Sequence, residues 1–274
     1  MLLAAVVSGV YQDGVTLSIA LASISTMFVG VFIMYYTGGH KKGVKQKEGY
    51  IIVTFGWIVM SISGMLPYLF SGAIPTVTNA FFETISGYTT TGASIMDDIE
   101  AMPEGILFWR SLTHWIGGMG IIVLAIAILP LLGIGGMQLF SAEAPGPTGD
   151  KLHPRITDTA KRLWLIYFGY TVAETLLLQV AGMSFFDAIN HAMATLSTGG
   201  FSTKNASVAY WNDQPMIQYI IIFFMFLAGS NFVLSYFAFK GKVQKVIQDE
   251  EFKYYAGFVI VFTAIAALVV YYQA

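Results

Sequence analysis

Long apolar stretches separated by short polar segments dominate the chain. A membrane-spanning helix needs about 20 mainly apolar residues, and several stretches reach that length. The predicted spans are 16–36, 50–70, 106–132, 163–183, 216–238 and 254–272. Residues 2–10 are apolar but too short to cross alone, and they lack the basic start and small-residue cleavage site of a signal peptide. The pattern predicts an all-α polytopic membrane protein.

Composition supports this interpretation and excludes other classes of protein. Of the 274 residues, 56% are apolar and 11% are charged, whereas soluble domains carry about 25% charged residues. Mean hydropathy is +0.67. The net charge of −2 provides no basic surface for nucleic acid. The lack of cysteine excludes disulfides, cysteine–zinc sites and thiol catalysis. An ordinary soluble enzyme, a disordered chain and a nucleic-acid-binding protein are therefore excluded.

The basic residues predict an orientation in the membrane. Most of the lysines and arginines lie in three segments, and two predicted spans separate each segment from the next. These residues are Lys41, Lys42, Lys45, Lys47, Lys151, Arg155, Lys161, Arg162, Lys240, Lys242, Lys245 and Lys253. The positive-inside rule makes that side cytoplasmic. The opposite side carries Asp13, Asp97, Asp98, Glu100, Glu104 and Asp213. These acids either favour cations at an outer mouth or are ordinary solvated loop residues.

Two segments on the outer side are too apolar for loops and too short to cross. Residues 78–88 and 187–196 predict half-helices of roughly 15 Å. The turns that follow are Thr89-Thr90-Thr91-Gly92-Ala93-Ser94 and Ser197-Thr198-Gly199-Gly200-Phe201-Ser202. The two segments align without gaps at an offset of 108 residues, which indicates an internal repeat of span, half-helix, turn and span. Ser184 and Asp187 match a capping box at the start of the second half-helix.

A re-entrant half-helix that ends in a Thr/Gly turn favours a cation site. Non-helical backbone at membrane depth is tolerated only where protein buries it or where it lines a water-filled cavity. Glycine lets successive carbonyls face one axis, and carbonyl rings that replace a hydration shell are how potassium filters bind their ion. The partly negative end of the half-helix also points at the turn. The competing interpretation is a pair of polar outer loops that touch the bilayer; two copies at equivalent places favour the pore.

Three segments resemble the TrkH membrane subunits of Trk-type potassium transporters, within the Trk/Ktr/HKT superfamily. They are FFETISGYTTTGAS at 81–94, HWIGGMGIIVLAIAILPLLGIGGMQLFSAEAPGP at 114–147 and DAINHAMATLSTGGFST at 187–203. The resemblance implies a potassium-channel-like pore of four span–pore-helix–span units preceded by two helices. About two of the four units are then present here. The implied regions are leading helices at 1–36, a first unit at 49–135, a second unit at 157–240 and the first span of a third unit at 254–272.

The resemblance also implies a site and an activity. The residues that match potassium-coordinating backbone positions are Thr90, Thr91, Thr198 and Gly199, and the filter glycines are Gly92 and Gly200. The implied activity is potassium uptake across the bacterial inner membrane, without a cofactor. The implied partners are membrane lipid, a second copy in a homodimer of the complete protein and a cytoplasmic nucleotide-binding regulatory subunit similar to TrkA.

Several residues outside the turns carry further expectations. Glu174 lies within a predicted span, where an acid is a functional hypothesis by default; it could face the pore, face a neighbouring helix or pair with Arg110. Arg110 lies near the outer end of its span and could instead snorkel to the interface. Glu83 and His191 are expected to anchor the half-helices by hydrogen bonds. Three glycines are expected to allow close helix packing, namely Gly117, Gly118 and Gly120.

Two other functions compete with transport. An intramembrane protease would need a serine with a histidine base, paired acids or a metal motif. The sequence contains His114, His191, Ser197 and Ser202 but neither G-x-S-x-G nor H-E-x-x-H, so no enzyme activity is expected. The second alternative is a non-conducting membrane fragment or scaffold that needs another chain to complete the pore. Its basis is that both ends of the sequence fall within or beside an apolar segment.

Overall fold

The structure is a computed structural model that describes residues 1–38, 46–128 and 152–273. All regular secondary structure in these residues is helical. The helices are α1 (Leu2–Tyr11), α2 (Thr16–Thr37), α3 (Gln46–Gly64), α4 (Leu66–Ser71), α5 (Val77–Tyr88), α6 (Glu104–Ile128), α7 (Leu152–Val180), α8 (Phe185–Leu196), α9 (Pro215–Gly229), α10 (Phe232–Phe239), α11 (Val243–Gln248) and α12 (Glu250–Gln273), with a 3-10 turn at Ser207–Trp211. Basic residues 41–45 and 151, and the end of predicted span 106–132, lie outside the described residues.

Most of the predicted spans are single helices. Within the described ranges, the helical segments long and apolar enough to cross a membrane are Thr16–Thr37, Ile51–Ser71, Ala160–Val180 and Glu250–Tyr272. The second of these joins α3 to α4 through Met65, whose backbone is helical. A helix satisfies its backbone groups internally, which is what the bilayer demands. The helix at predicted span 163–183 ends earlier than expected, because α7 stops at Val180.

The prediction of one continuous span at 216–238 is wrong. α9 and α10 are bent by 104° at the break between them. Ser230 has an extended backbone, and its hydroxyl donates to the carbonyl of Leu227 at 2.7 Å. Asn231 caps α10 by accepting the amide of Val233 at 3.0 Å. Serine and asparagine side chains bond to nearby backbone groups and so favour helix ends over helix interiors. The apolar pattern continues through this pair, but the helix does not.

α6 is the central helix of the described part. It packs against α1, α5, α7 and α8. One apolar cluster includes Ile19, Tyr68 and Trp109, and another includes Tyr167 and Phe224. By contrast, none of the apolar window of α12 is buried, and most side chains of α2 are exposed. Exposed apolar faces of this size need lipid or another protein segment to cover them.

Candidate cation filter

The two half-helices have the same length and equivalent positions in the repeat. α5 and α8 each contain 12 residues and begin 108 positions apart. Both lie within two residues of the predicted bounds. At roughly 18 Å each, they are too short to cross a hydrocarbon core of about 30 Å. The predicted cap of α8 is confirmed: the Ser184 hydroxyl accepts the Asp187 amide at 3.1 Å and donates to the Asp187 carboxylate at 2.7 Å.

The chain leaves both half-helices through the same unusual backbone conformation. Thr90 and Gly92 have φ of 53° and 76°, and Thr198 and Gly200 have φ of 57° and 84°. Glycine tolerates this left-handed region, but a β-branched threonine pays a steric penalty there. Strain of this kind persists only where the surrounding structure enforces it. Its occurrence at equivalent positions in two copies shows that the turns are built alike.

In the described structure, the backbone amides of two residues in each turn are hydrogen-bonded, whereas the carbonyl oxygens of the same residues are not. The amides of Thr90 and Thr91 donate back into the last turn of α5 at 3.0 and 2.9 Å. The amides of Thr198 and Gly199 donate back into the last turn of α8, both at 2.9 Å. Among the described residues, no group donates a hydrogen bond to the carbonyl oxygens of these four residues. Because buried backbone carbonyls in folded proteins normally find a donor, these oxygens without one are candidate ligand groups.

The two turns touch each other. A Cβ atom added at Gly92 would overlap the carbonyl oxygen of Gly199. Gly199 itself is buried, Thr90 is half-buried, and Thr91 and Thr198 are exposed. The turns therefore lie side by side, and only a glycine at position 92 permits this approach.

Two of the three predicted packing glycines bring α6 against the ends of both half-helices. A Cβ at Gly117 would overlap the carbonyl oxygen of Tyr88, the last residue of α5. A Cβ at Gly118 would lie 2.8 Å from Cα of Ser197, directly after α8. Gly120 is less tightly packed, because its added Cβ would lie 3.3 Å from a tryptophan ring. Small residues thus let the α6 backbone support both turns from behind.

His114 lies directly behind the second turn. A Cβ at Gly199 would overlap its ring, and the same ring stacks on Phe201 with centroids 3.7 Å apart and planes 14° apart. His114 is fully buried, and neither ring nitrogen has a hydrogen-bond partner in the part of the chain that the structure describes. Its contribution is therefore packing against the turn, which the sequence did not reveal.

Glu83 and His191 occupy equivalent positions in the half-helices and anchor them as expected. The Glu83 carboxylate accepts the hydroxyl of Ser94 at 3.0 Å. Nε2 of His191 lies 3.0 Å from the hydroxyl of Ser202, the residue equivalent to Ser94. Nδ1 of His191 lies 2.8 Å from the carbonyl oxygen of Asp187. Each half-helix is therefore bonded to the segment that leaves its own turn.

Arg110 neither snorkels to the interface nor pairs with Glu174. It is 2% exposed, and its Nε donates to Oε1 of Glu83 at 2.6 Å. Two opposite charges that lose their hydration together require such a direct partner. The pairing lacks a sequence signal because the residues are 27 positions apart and on different elements.

With this geometry, comparison with known proteins identifies the family. The TrkH family of cation transport proteins matches residues 17–270. The chain belongs to the TrkH family. The Trk system potassium uptake proteins TrkH of Escherichia coli K12 and Salmonella typhimurium LT2 are each 43% identical to it over 100% of the chain. Proteins of this description are ion transporters, not enzymes, and potassium is the ion in their names.

A solved structure of the TrkH family has the same fold. The crystal structure of the potassium transporter TrkH from Vibrio parahaemolyticus matches with a TM-score of 0.85 and 37% identity, over 96% of this chain and 54% of that one. The chain spans 57% of the length of the Escherichia coli relative. The expected family and the all-α fold with repeated span–pore-helix–span units are therefore confirmed. A partial complement of about two of the four units fits this coverage.

Glu174 of this TrkH-family chain is a buried acid outside the turns. Its side chain is fully buried, and neither carboxyl oxygen has a hydrogen-bond partner in the described part of the structure. Pairing with Arg110 is excluded, because that arginine bonds to Glu83. Glu174 is therefore buried without a charged partner among the described residues.

The outer loops of the two repeats are joined by Asn205. Its side-chain oxygen accepts the backbone amide of Ile99 at 2.7 Å, and its side-chain nitrogen donates to Asp98 at 2.9 Å. Its backbone amide donates to the carboxylate of Glu100 at 3.1 Å. The Asn205 amide group lowers the pKa of the exposed Asp98 carboxyl. Across the described ranges, no group of three or more histidine or acidic residues is arranged to hold a metal ion. Carbonyl oxygens of the turns are thus the candidate ligands.

Proposed function

We propose that this chain contributes two turns of a selectivity filter through which potassium enters a bacterial cell across the inner membrane. The Escherichia coli and Salmonella relatives are named potassium uptake proteins, which supports potassium as the substrate. Positive-inside topology supports an orientation with the turns near the outer face. Transport of this kind needs no cofactor in the chain.

The observation that carries the proposal is the set of free carbonyl oxygens in two equivalent turns. A filter binds potassium by replacing its hydration shell with such oxygens. The residues proposed to supply them are Thr90, Thr91, Thr198 and Gly199. Gly92 and Gly200 permit the left-handed backbone that follows the oxygens. Contact between the turns supports a common ion, because it brings a carbonyl oxygen of the second copy against the first turn.

Two turns supply only part of a coordination shell, so the proposal includes further segments. We propose that residues 49–135 and 157–240 form two of four units, that 1–36 are leading helices and that 254–272 open a third unit. Oxygens of the remaining units would complete the ring. A homodimer and a TrkA-like regulatory subunit at the cytoplasmic face belong to the same proposal, as does lipid around the exposed apolar helices.

The test uses the protein expressed from its complete gene in a bacterium that lacks its own potassium uptake systems. Gly92→Ser and Gly200→Ser are expected to lower the preference for potassium over sodium, measured by growth at low potassium and by ion uptake. Gly169→Ser is the control, because nothing lies within 4 Å of an added Cβ there. Unchanged preference in both filter variants would refute the assignment of the turns.

A second experiment separates a half-filter from a scaffold. The 274-residue chain is expressed alone and compared with the complete gene product. Potassium flux by the complete product, with none by the chain alone, supports the incomplete filter. Absence of flux from both, although both reach the membrane, would favour a non-conducting scaffold.

A further inference from the structure

The ion pair between Glu83 and Arg110 bonds to the segments that follow both turns. The two side chains are 0% and 3% exposed, and 2.6 Å separates Oε1 of Glu83 from Nε of Arg110. Burying two charges is costly unless the remaining donors and acceptors are also satisfied. The contacts of each partner therefore indicate what the pair holds in place.

Glu83 holds the segment that leaves the first turn. Its Oε1 accepts the hydroxyl of Ser94 at 3.0 Å, and its Oε2 accepts the amide of Ile95 at 3.0 Å. The hydroxyl of Ser86 adds a third bond, to the carbonyl oxygen of Ala93 at 2.6 Å. The three residues that directly follow Gly92 are thereby fixed to α5.

Arg110 holds the segment that leaves the second turn. Its Nη1 donates to the carbonyl oxygen of Ser202 at 3.0 Å, and its guanidinium carbon lies 3.6 Å from the centre of the Phe201 ring. The ring of His114 stacks on Phe201 at 3.7 Å. Two groups this close to one ring centre must occupy opposite faces, so Phe201 is clamped between them. Phe201 directly follows Gly200.

Among the described residues, the second repeat has no ion pair of its own at this place. The position equivalent to Glu83 is His191, which bonds to a serine hydroxyl. The helix that follows the second turn, as α6 follows the first, is α9, and Pro215–Gly229 contains no charged residue. The single guanidinium of Arg110 is therefore shared, with one contact toward each turn.

We propose that Arg110 is a positioning residue that sets the spacing between the two turns and thereby the selectivity for potassium. It acts through Glu83 on the first turn and through Phe201 and Ser202 on the second. Discrimination among alkali cations depends on where the carbonyl oxygens lie and how firmly they are held. The inference rests on the proposed filter function, and it assigns to a side chain outside the filter a part in its selectivity.

The decisive variant is Arg110→Lys in the protein expressed from its complete gene. Lysine keeps the positive charge, but one ammonium group cannot replace the planar fork that bonds to Glu83 and to Ser202 at once. We expect the potassium concentration for half-maximal uptake to rise, and the preference over sodium to fall, by about tenfold. Arg162→Lys is the matched control, because Arg162 is exposed and donates to the hydroxyl of Tyr236 at 2.5 Å. The Arg162→Lys control should keep both the half-saturation concentration and the preference for potassium over sodium.

The outcomes distinguish positioning from general support. A lower maximal rate with unchanged half-saturation and unchanged preference would mean that Arg110 only supports the fold, and the inference would be overturned. If the Arg110→Lys protein does not accumulate in the membrane, Glu83→Gln decides by the same readouts, since it keeps size and one acceptor oxygen. Unchanged preference in Glu83→Gln also overturns the inference.

Failure of this inference differs from failure of the filter assignment. If Gly92→Ser and Gly200→Ser leave the preference intact, the turns are not the filter. If those variants relax the preference while Arg110→Lys and Glu83→Gln do not, the filter stands and only the positioning role fails.

Discussion

The carbonyl oxygen of Gly199 occupies the space in which a side chain at Gly92 would begin. One added carbon atom at position 92 therefore forces the two turns apart. Gly200 is the equivalent of Gly92 in the repeat, yet nothing lies within 4 Å of a Cβ added there. The two filter glycines share a left-handed backbone but differ in their surroundings.

This difference predicts unequal effects of the same substitution. Gly92→Ala should reduce potassium uptake more than Gly200→Ala, because it adds a clash to the left-handed strain of about 1–2 kcal/mol that both variants share. The measurements are the half-saturation concentration and the maximal rate of uptake. Gly169→Ala serves as the reference for a glycine in open space. Equal losses at positions 92 and 200 would contradict the contact between the turns.

The glycines of α6 predict a graded effect on stability. Gly117→Ala places Cβ against a backbone carbonyl that cannot rotate away, and about 1–3 kcal/mol of unfolding free energy should be lost. Gly120→Ala meets the edge of the Trp57 ring at 3.3 Å, and a side chain can yield there. The midpoint temperature of thermal unfolding in detergent should therefore fall clearly for Gly117→Ala and little for Gly120→Ala. The reverse order would show that close backbone approach is not what these residues provide.

Local sequence determines much of this fold. The apolar runs predict the spans because a bilayer accepts only helices with internally satisfied backbone groups. The half-helix at 185–196 begins where Ser184 can cap it, and its turn contains glycine where the backbone becomes left-handed. Each half-helix with its turn is a weak signal alone, but their offset of 108 residues makes an internal repeat a stronger prediction.

Contacts distant in sequence could not be predicted in the same way. Glu174 and Glu83 are both acids in apolar surroundings, and only the packing of α5 against α6 selects Glu83 as the partner of Arg110. The bend after Gly229 coincides with capping of α10 by Asn231, which hydropathy does not register. The clamp on Phe201 arises from two side chains one helical turn apart on α6.

Replacement of the buried acid Glu174 is expected to change the unfolding free energy in an unusual way. Glu174→Met should keep or raise the unfolding free energy, because an apolar side chain of similar volume removes a buried carboxyl that has no described partner. Glu174→Ala should lower it by about 2 kcal/mol by leaving a cavity. Thermal unfolding in detergent compares the two variants. An equal loss in both would indicate that the carboxyl group itself makes a stabilising bond.

The bend between α9 and α10 predicts a change of geometry on loss of the cap. Asn231→Leu removes the bond to the Val233 amide, worth about 1 kcal/mol, and restores an apolar helix former. Spin labels at the ends of α9 and α10 that lie away from the bend, near Pro215 and Phe239, should then move apart as the pair straightens. Asp213→Leu is a control, since Asp213 is exposed and outside both helices. An unchanged distance would mean that packing, rather than the cap, holds the 104° bend.

Arg110 meets Glu83 across 27 positions of sequence but meets Ser202 across 92. During synthesis from the amino terminus, the carboxylate and the guanidinium are therefore both made long before the second repeat exists. The pair can enter the membrane as a neutral unit, which avoids inserting a lone charge at a cost of several kcal/mol. The later repeat then meets a guanidinium that is already in place, with Nη1 ready for its carbonyl. From the order of translation, we therefore expect the first repeat to fold before the second and to present its guanidinium to it.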